Sequence, residues 1–304
     1  MKNILVTGHN GFIGSRLLEK LRLNHKVYIL NEGKKINNTH RIKINRLFTN
    51  LKSNYRQIRK INYIFLIGSN TSLEFSETKH LSSLKTNVLP IVRLLDFIKQ
   101  KKLNIKIIYL STSSLYKSSS KIQKNKAYEI NSIYDLNKFL VEENICYYKK
   151  NYNLKACILQ LSNVYGPTHL VFKKDRGMIN KVIKNAKKSK KIKIIGTGNY
   201  YRDFVYIDDV IGALLKCVNN DKLFKYDKYI LSSGRSYTLN NVFLLIKKLL
   251  FKKYKINISL VRNQAINKFL KLNKRSFKDS SAKFKKITRW KPKTDITDGI
   301  KKMI

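Results

Sequence analysis

A tyrosine and a lysine, Tyr134 and Lys138, stand four residues apart in a segment with helical periodicity, Ser132 to Lys149. Positions i and i+4 share one face of a helix, so the phenol and the ammonium can reach the same pocket. A nearby cation stabilises a phenolate and lowers the pKa of a tyrosine toward neutrality, which makes the side chain usable as a general base. The pair alone is weak evidence, because the chain contains 18 tyrosines and 64 lysines and arginines.

A run of hydroxyl side chains gives the pair its context. Ser111 to Ser114 follow the apolar segment Ile105 to Leu110, which predicts a strand. Open α/β sheets place their sites at the carboxyl ends of strands. We therefore expect this run of hydroxyls to lie at a site.

A third pattern predicts a dinucleotide site near the start of the chain. Gly8, Gly11 and Gly14 come directly after the strand predicted at Ile4 to Val6 and open a helix predicted over Phe12 to Leu23. Glycines permit a tight turn and a close approach of the backbone to a pyrophosphate, and the helix N-terminus supplies free N–H groups. The expected contacts of the cofactor in this loop are Gly8, Asn10, Gly11, Phe12, Ile13 and Gly14.

Strand and helix signals alternate along the chain, which favours a Rossmann-type doubly wound parallel sheet of the α/β class. The alternation weakens after Gly166, and no linker marks a domain boundary. We therefore expect a smaller C-terminal substrate domain interleaved with the first. The predicted division gives residues 1–165 and about 200–228 to the dinucleotide-binding domain. Residues 166–199 and about 229–304 form the predicted substrate-binding domain.

The composition is strongly basic, with 64 Lys and Arg against 18 Asp and Glu and a formal net charge of +46. Such a charge attracts nucleic acid or anionic membranes. However, the lysines are spread along the whole chain and accompany an excess of Asn, Ile, Tyr and Phe, which favours compositional drift over a nucleic-acid surface. The three cysteines are too few and scattered for a disulfide framework or a metal site. No apolar run is long enough for a membrane span, and a cytoplasmic location is expected.

The glycine spacing resembles the T-G-x-x-G-x-x-G of the short-chain dehydrogenase/reductase superfamily, and particularly its extended branch of nucleotide-sugar epimerases and dehydratases. Four later segments are similar to motifs of that branch: Ser111 to Tyr116, Leu161 to Pro167, Gly198 to Val210 and Trp290 to Pro292. The third of these resembles G-x-x-x-R-D-F-V-Y-V-D-D-V and is the most specific. The resemblance covers nearly the whole chain.

The resemblance implies a role for each matched residue. Thr112 would hydrogen-bond the reacting sugar oxygen, Tyr134 would be the catalytic base, and Lys138 would hold the nicotinamide ribose and stabilise the phenolate. Asn163 would contact the sugar or its phosphates. Further residues implied by the resemblance are Arg202 and Arg275 for the diphosphate, and Asn87 beside the nicotinamide ribose. The implied cofactor is NAD, and the implied assembly is a homodimer.

Two departures bear on the cofactor. Asn31 ends the second predicted strand where an acidic residue normally holds the adenosine ribose, and Lys34 and Lys35 follow it. Asparagine does not repel a 2′-phosphate and the lysines could attract one, so NADP is an alternative to NAD. The family's H-L-A-A segment is replaced by Phe65 to Gly68.

The two residues after Thr112 bear on the reaction. In the 4,6-dehydratases of the family these positions carry Asp and Glu, whereas here they are Ser113 and Ser114, whose hydroxyls do not titrate near neutrality. We therefore expect C4 epimerisation of a UDP-hexose with bound NAD, rather than dehydration. The alternatives are an NADPH-dependent 4-ketoreductase and a non-enzymatic relic of the fold that binds RNA.

Overall fold

A computed structural model describes residues 1–31, 40–43, 51–117, 127–168, 177–263, 276 and 278–304. The chain divides into two compact units. The first unit comprises Met1–Leu115, Ile130–Gln160 and Leu214–Tyr229, and the second comprises Tyr116–Glu129, Leu161–Ala213 and Ile230–Ile304.

The described elements alternate between strand and helix through the first half of the chain. The strands are β1 Asn3–Thr7, β2 Lys26–Asn31, β3 His40–Lys43, β4 Tyr63–Leu66, β5 Lys106–Thr112, β6 Ala156–Leu161, β7 Asn163–Tyr165, β8 Lys191–Ile195, β9 Tyr201–Tyr206, β10 Lys228–Leu231, β11 Ser236–Thr238 and β12 Ser259–Asn263. The helices are α1 Gly14–Leu21, α2 Tyr55–Ile58, α3 Leu73–Thr78, α4 His80–Asn87, α5 Leu89–Gln100, α6 Ile133–Tyr152, α7 Met178–Ser189, α8 Ile207–Leu215, α9 Leu239–Tyr254, α10 Ala282–Thr288 and α11 Ile296–Lys301.

Among the described residues, the main sheet has seven strands in the order β10-β6-β5-β4-β1-β2-β3. Strand β1 pairs in parallel with β2 and β4, and the pairs β2–β3 and β4–β5 are parallel as well. The order reverses beside β1, as in the doubly wound folds that bind ligands at such a switch point. The predicted doubly wound α/β fold is confirmed.

Apolar strands and helix stripes form the core of the first unit. Ile64, Ile107 and Ile158 on three neighbouring strands are fully buried, and α5 adds Leu94 and Leu95. Burying each such side chain contributes about 1.5–3 kcal/mol. This core fixes the ends of β1, β4 and β5, where the chemistry-bearing residues begin.

The second unit contains two small sheets. One has the order β11-β9-β7, with β9 antiparallel to β11 and parallel to β7, and the other pairs β12 with β8 in parallel. Near the C-terminus the indole of Trp290 donates to the carbonyl of Asp209 at 2.9 Å. The carboxylate of Asp209 accepts from the backbone of Lys293 and Thr294.

Some boundaries differ from the sequence-based expectations. Residues 80–100 form two helices that meet at Val88, where Pro90 occupies the first turn of α5 and lacks the N–H that a continuous helix would need. Residues 200–213, predicted in the cofactor domain, lie in the second unit because β9 pairs with β7 and β11.

Within the part of the chain that the structure describes, no helix is long and apolar enough to cross a membrane. Among the same residues, no group of three or more His, Cys, Asp or Glu side chains is placed to hold a metal ion.

Candidate active site

The glycine loop begins where β1 ends. Gly8 has a φ of +67°, a left-handed conformation that favours glycine, and its carbonyl accepts from the N–H of Gly11 at 2.8 Å. A Cβ at Gly14 would overlap that same carbonyl oxygen, and a Cβ at Gly11 would lie 3.0 Å from it. The turn therefore requires glycine at position 14 and leaves little room for a side chain at position 11. A dinucleotide fits the glycine turn before α1, because backbone atoms form the surface of this turn.

Gly68 lies in the segment that departs from the family pattern and packs against the glycine turn. A Cβ at Gly68 would lie 3.1 Å from the backbone N of Gly8, so the loop after β4 approaches the turn closely. Thr7 holds the two segments together: its hydroxyl oxygen accepts from the N–H groups of Ile67 and Gly68 at 2.9 and 3.0 Å and donates to the carbonyl of Phe65. The segment that replaces H-L-A-A therefore lies against the glycine turn.

The remaining residues predicted in this loop lie around the same turn. Asn10 is exposed, while Phe12 and Ile13 are half-buried, and Ile13 precedes α1 without a side-chain cap for the helix. Asn31 ends β2 as expected, but its side chain lies outside the described residues, as do Lys34 and Lys35.

Asn87 organises the loop that follows β4. Its amide oxygen accepts from the hydroxyl of Ser69 at 3.1 Å and from the backbone N–H of Asn70 at 2.8 Å. Its amide nitrogen donates to the carbonyl of Asn70 and, at 3.4 Å, to the hydroxyl of Ser83. These bonds give the buried Asn87 a role in holding this loop; its predicted contact with the nicotinamide ribose stays a prediction.

Thr112 is the last residue of β5 and leads into a single 3₁₀ turn, Ser113–Leu115. Its Oγ1 lies 2.9 Å from the Oγ of Ser114 and accepts from the backbone N–H of Ser114 at 3.2 Å. The Ser114 hydroxyl donates to Oδ1 of Asp135 at 2.6 Å. The turn therefore brings a carboxylate beside the serine pair, which the sequence argument did not anticipate.

Tyr134 and Lys138 lie on the first turns of α6. Ser132 caps this helix by accepting from the N–H of Asp135 at 3.0 Å, which fixes where the helix begins. The Nζ of Lys138 donates to the carbonyl of Leu110 at 2.9 Å, near the end of β5, and lies 5.9 Å from the centre of the Tyr134 ring. The structure thus brings the predicted pair together beside the strand that ends in Thr112.

The direction of the Tyr134 pKa differs from the sequence-based expectation. Burial raises the pKa of Tyr134, and the charge of the neighbouring Asp135 raises it further. The expected lowering by a nearby cation is not found in this structure, because desolvation of the phenolate dominates. Burial also lowers the pKa of Lys138 to about 8, against the opposing effect of Glu142.

Glu142 lies one turn beyond Lys138 and is fully buried. Its two carboxylate oxygens accept from the side-chain amide of Gln160 at 3.0 Å, and Oε2 lies 3.1 Å from the Nζ of Lys228. Burial raises the pKa of Glu142, while Lys228, Ser111 and Gln160 oppose the shift. The sequence signal that could have identified it is the spacing Tyr134, Lys138, Glu142, which places three titratable groups on one helix face.

The residues predicted to bind the substrate phosphates lie in the second unit. Asn163 begins β7, and its amide donates to the carbonyl of Asp203 on β9 at 3.1 Å. Arg202 is buried, and its guanidinium donates to the carbonyl of Tyr201 at 2.9 Å. Arg275 lies outside the described residues.

Asp203 stabilises the turn beside Arg202. Its carboxylate accepts from the N–H groups of Ser233 and Gly234 at 2.7 and 2.8 Å, and from the Ser233 hydroxyl. Burial raises the pKa of Asp203 to about 7, with these hydrogen bonds opposing the shift. The R-D pair of the motif therefore combines a buried guanidinium with a carboxylate that binds a backbone turn.

The sequence is matched over residues 4–231 by the model of the NAD dependent epimerase/dehydratase family. The chain belongs to this family. The family consists of NAD-dependent enzymes, and the predicted enzyme class, family and NAD cofactor are confirmed.

Named relatives cover the whole chain. A putative UDP-glucose 4-epimerase of Methanocaldococcus jannaschii is 27% identical over 311 residues, which span 99% of this chain and 97% of that protein. A UDP-glucose 4-epimerase of Thermotoga maritima, solved with UDP-glucose, has a TM-score of 0.82 at 24% identity and covers 99% of this chain and 97% of its own. A UDP-glucuronic acid 4-epimerase of Bacillus cereus, solved with UDP-glucuronic acid and NAD, has a TM-score of 0.82 at 22% identity, with coverages of 98% and 96%. The likeness to the two solved structures establishes the fold.

The epimerase/dehydratase family assignment fits the described site at two places within the first unit. The glycine turn before α1 has the backbone surface that a dinucleotide needs. Thr112 ends β5, and Tyr134 and Lys138 lie on the first turns of α6, which Lys138 links to β5 through its bond to Leu110. Sequence reasoning missed the packing of Gly68 against Gly8, the bond between Ser114 and Asp135, and the buried Glu142. These contacts join segments distant in the chain.

Proposed function

We propose that this chain is a nucleotide-sugar epimerase that inverts C4 of a UDP-hexose through a 4-keto intermediate, with bound NAD. The observation that carries the proposal is the cluster of Thr112, Tyr134 and Lys138 with serines, not carboxylates, at positions 113 and 114. The UDP-glucose 4-epimerase relatives that match nearly the whole chain support the same reaction.

Three residues of the chain have separate roles at the sugar. Tyr134 exchanges the proton of the C4 hydroxyl, and Thr112 hydrogen-bonds that oxygen. Lys138 offsets the charge of the phenolate and holds the nicotinamide ribose. At neutral pH most of Lys138 carries its proton, because its pKa is about 8. The chemistry that NAD supplies when bound is reversible acceptance of the hydrogen on C4 as hydride.

The diphosphate requires a fixed cation. Arg202 is planar and permanently charged, and it is pre-ordered by its bond to the carbonyl of Tyr201. We assign it to the diphosphate of the substrate and Asn163 to the sugar or its phosphates. Arg275 is a second candidate for the diphosphate.

A second candidate function is an NADPH-dependent 4-ketoreductase. Burial and Asp135 both raise the pKa of Tyr134, which favours a neutral phenol that donates a proton to a ketone. In addition, Asn31 ends β2 without the charge that would repel a 2′-phosphate. The RNA-binding relic is the weaker alternative, since a relic has no need of Thr112, Tyr134 and Lys138 together.

The test begins with the purified protein and any nicotinamide it retains, which mass spectrometry identifies as NAD or NADP. The protein is then incubated with UDP-galactose and other nucleotide sugars without added cofactor. We expect interconversion of C4 epimers with no net oxidation. Turnover that requires stoichiometric NADPH would instead establish the ketoreductase, and tight RNA binding with no effect on nucleotide sugars would establish the relic. The homodimer and the cytoplasmic location stay predictions.

A further inference from the structure

Three polar side chains beside Tyr134 form one hydrogen-bonded chain. Thr112 Oγ1 lies 2.9 Å from Ser114 Oγ, and Ser114 Oγ lies 2.6 Å from Oδ1 of Asp135. Asp135 directly follows Tyr134 and is 1% exposed. A separation of 2.6 Å between a hydroxyl and a carboxylate oxygen is typical of a strong charge-assisted hydrogen bond.

The carboxylate of Asp135 determines which group is the donor in each hydrogen bond of this series. An ionised carboxylate only accepts, so Ser114 gives its single hydroxyl hydrogen to Asp135. Ser114 then has no hydrogen left for Thr112, and Thr112 must be the donor in the contact between them. Thr112 Oγ1 also accepts from the N–H of Ser114 at 3.2 Å. Its remaining lone pair can therefore accept a hydrogen bond from a ligand hydroxyl.

We propose that Asp135 is a proton acceptor and donor for the reacting hydroxyl of the substrate, acting through Ser114 and Thr112 and alongside Tyr134. The inference rests on the proposed function, because it takes the reacting group to be a sugar hydroxyl bound at Thr112. Asp135 is a positioning residue in this scheme, since it reaches the substrate only through the two hydroxyls.

Each proton that leaves a group in this hydrogen-bonded series is taken up by the next group, so the transfer balances. As the sugar O–H bond breaks, its proton moves to Thr112, the hydroxyl proton of Thr112 moves to Ser114, and that of Ser114 moves to Asp135. Bound NAD in its oxidised form would supply the acceptor for the hydride from the same carbon, which leaves a carbonyl on the sugar. The reverse series returns one proton to the sugar oxygen when hydride adds back to the carbonyl carbon.

The raised pKa of Tyr134 explains why a second route for the proton would be useful. Burial raises the pKa of Tyr134, so the phenol holds its proton at neutral pH unless positive charge offsets the effect. A neutral Tyr134 can donate a hydrogen bond to the sugar oxygen while the proton of that oxygen passes toward Asp135. The two side chains then act together on one oxygen atom.

The test compares Ser114→Ala and Asp135→Asn with the conservative variant Ser114→Thr, which retains the hydroxyl. General acid–base groups contribute about 10²–10⁴-fold. With Tyr134 still present, we expect kcat to fall at least about tenfold in Ser114→Ala and Asp135→Asn, with KM changed less than about threefold and Ser114→Thr close to the wild type. The double variant should lose no more than the worse single variant, because both act on the same path.

Two further readouts separate a proton path from a purely structural role. In mixtures of H₂O and D₂O, kcat of the wild type should depend on the deuterium fraction with curvature, since several protons move, and this curvature should disappear in Ser114→Ala. Chemical unfolding of the two single variants and the double variant measures the Ser114–Asp135 coupling without any turnover. Zero coupling would show that the hydrogen bond is absent and would overturn the proposal.

Each remaining outcome also decides the question. If Asp135 acts only by raising the pKa of Tyr134, Asp135→Asn would equal or exceed the wild-type rate near neutral pH, and the proposal would be wrong while the epimerase function stands. If the wild type itself neither binds nor converts any nucleotide sugar, the proposed function fails and this inference fails with it.

Discussion

The Nζ of Lys138 lies 5.9 Å from the centre of the Tyr134 ring and donates a hydrogen bond to the carbonyl of Leu110. The lysine is therefore anchored to the end of β5 as well as facing the phenol. Lys138 is buried, whereas Tyr134 is half-buried. Desolvation raises the pKa of Tyr134 and lowers that of Lys138 to about 8. Each shift disfavours a charged form that the proposed chemistry uses.

Removing the phenolic hydroxyl should abolish activity with little effect on folding. Tyr134→Phe keeps the ring and its packing but removes the group that exchanges the proton, so we expect kcat to fall about 10²–10⁴-fold. Thermal unfolding should change by no more than a few degrees. Tyr147→Phe, on the same helix and 56% exposed, is the matched control and should keep full activity. A Tyr134→Phe enzyme with normal kcat would remove Tyr134 from the mechanism.

Lys138→Met should make the protein more stable and inactive. Burial lowers the pKa of Lys138 from its ordinary 10.5 to about 8, so the unfolded chain binds more protons than the folded protein between these values. The contribution of this group to stability therefore rises as the pH increases through that window and is lowest below it.

Urea unfolding at pH 7 and pH 10 checks the prediction. Lys138→Met should gain on the order of 1–2 kcal/mol at pH 7, and its stability should rise less between the two pH values than that of the wild type. A variant that is less stable at pH 7 would mean that the hydrogen bond to Leu110 outweighs the cost of burying the ammonium.

The sequence predicted the site through patterns that are local. The spacing of Tyr134 and Lys138 and the glycine loop after β1 each depend on one helix or one turn, and the structure has a helix and a turn at those positions. The bond between Ser114 and Asp135 spans 21 residues and depends on how the 3₁₀ turn meets the first turn of α6. Such contacts, and the burial that reverses the expected pKa direction, are consequences of tertiary packing and have no local signature.

Glu142 should tune the pH dependence of the enzyme. Its charge opposes the lowering of the Lys138 pKa, so Glu142→Gln should lower that pKa below about 8. Since the protonated ammonium supports catalysis, activity falls as the pH rises through this pKa, and in Glu142→Gln the fall should begin at lower pH. The profile of kcat against pH measures the shift.

Glu143→Gln is the control for this variant, because Glu143 also contacts Lys228 but is 48% exposed and lies one residue away. Its profile should match the wild type. Identical profiles for all three proteins would show that Glu142 does not act on Lys138 during turnover.

The guanidinium of Arg202 should matter for its shape as well as its charge. Arg202→Lys keeps one positive charge but loses the planar fork that pairs with a diphosphate, so UDP should bind about tenfold more weakly. Isothermal titration with UDP measures this directly, and Arg22→Lys, at an exposed position, should bind like the wild type. Unchanged affinity in Arg202→Lys would place the diphosphate elsewhere.

The glycine turn should tolerate added methyl groups in a graded order. A Cβ at Gly14 overlaps the carbonyl oxygen of Gly8, whereas a Cβ at Gly11 would lie 3.0 Å from it. We therefore expect Gly14→Ala to lose retained nicotinamide and to unfold at lower temperature, and Gly11→Ala to show a smaller loss of both. Gly212→Ala is the control, since its Cβ would meet only the Trp290 indole at 3.9 Å, an ordinary contact within α8. Full nicotinamide content in purified Gly14→Ala would mean that the cofactor does not depend on this turn.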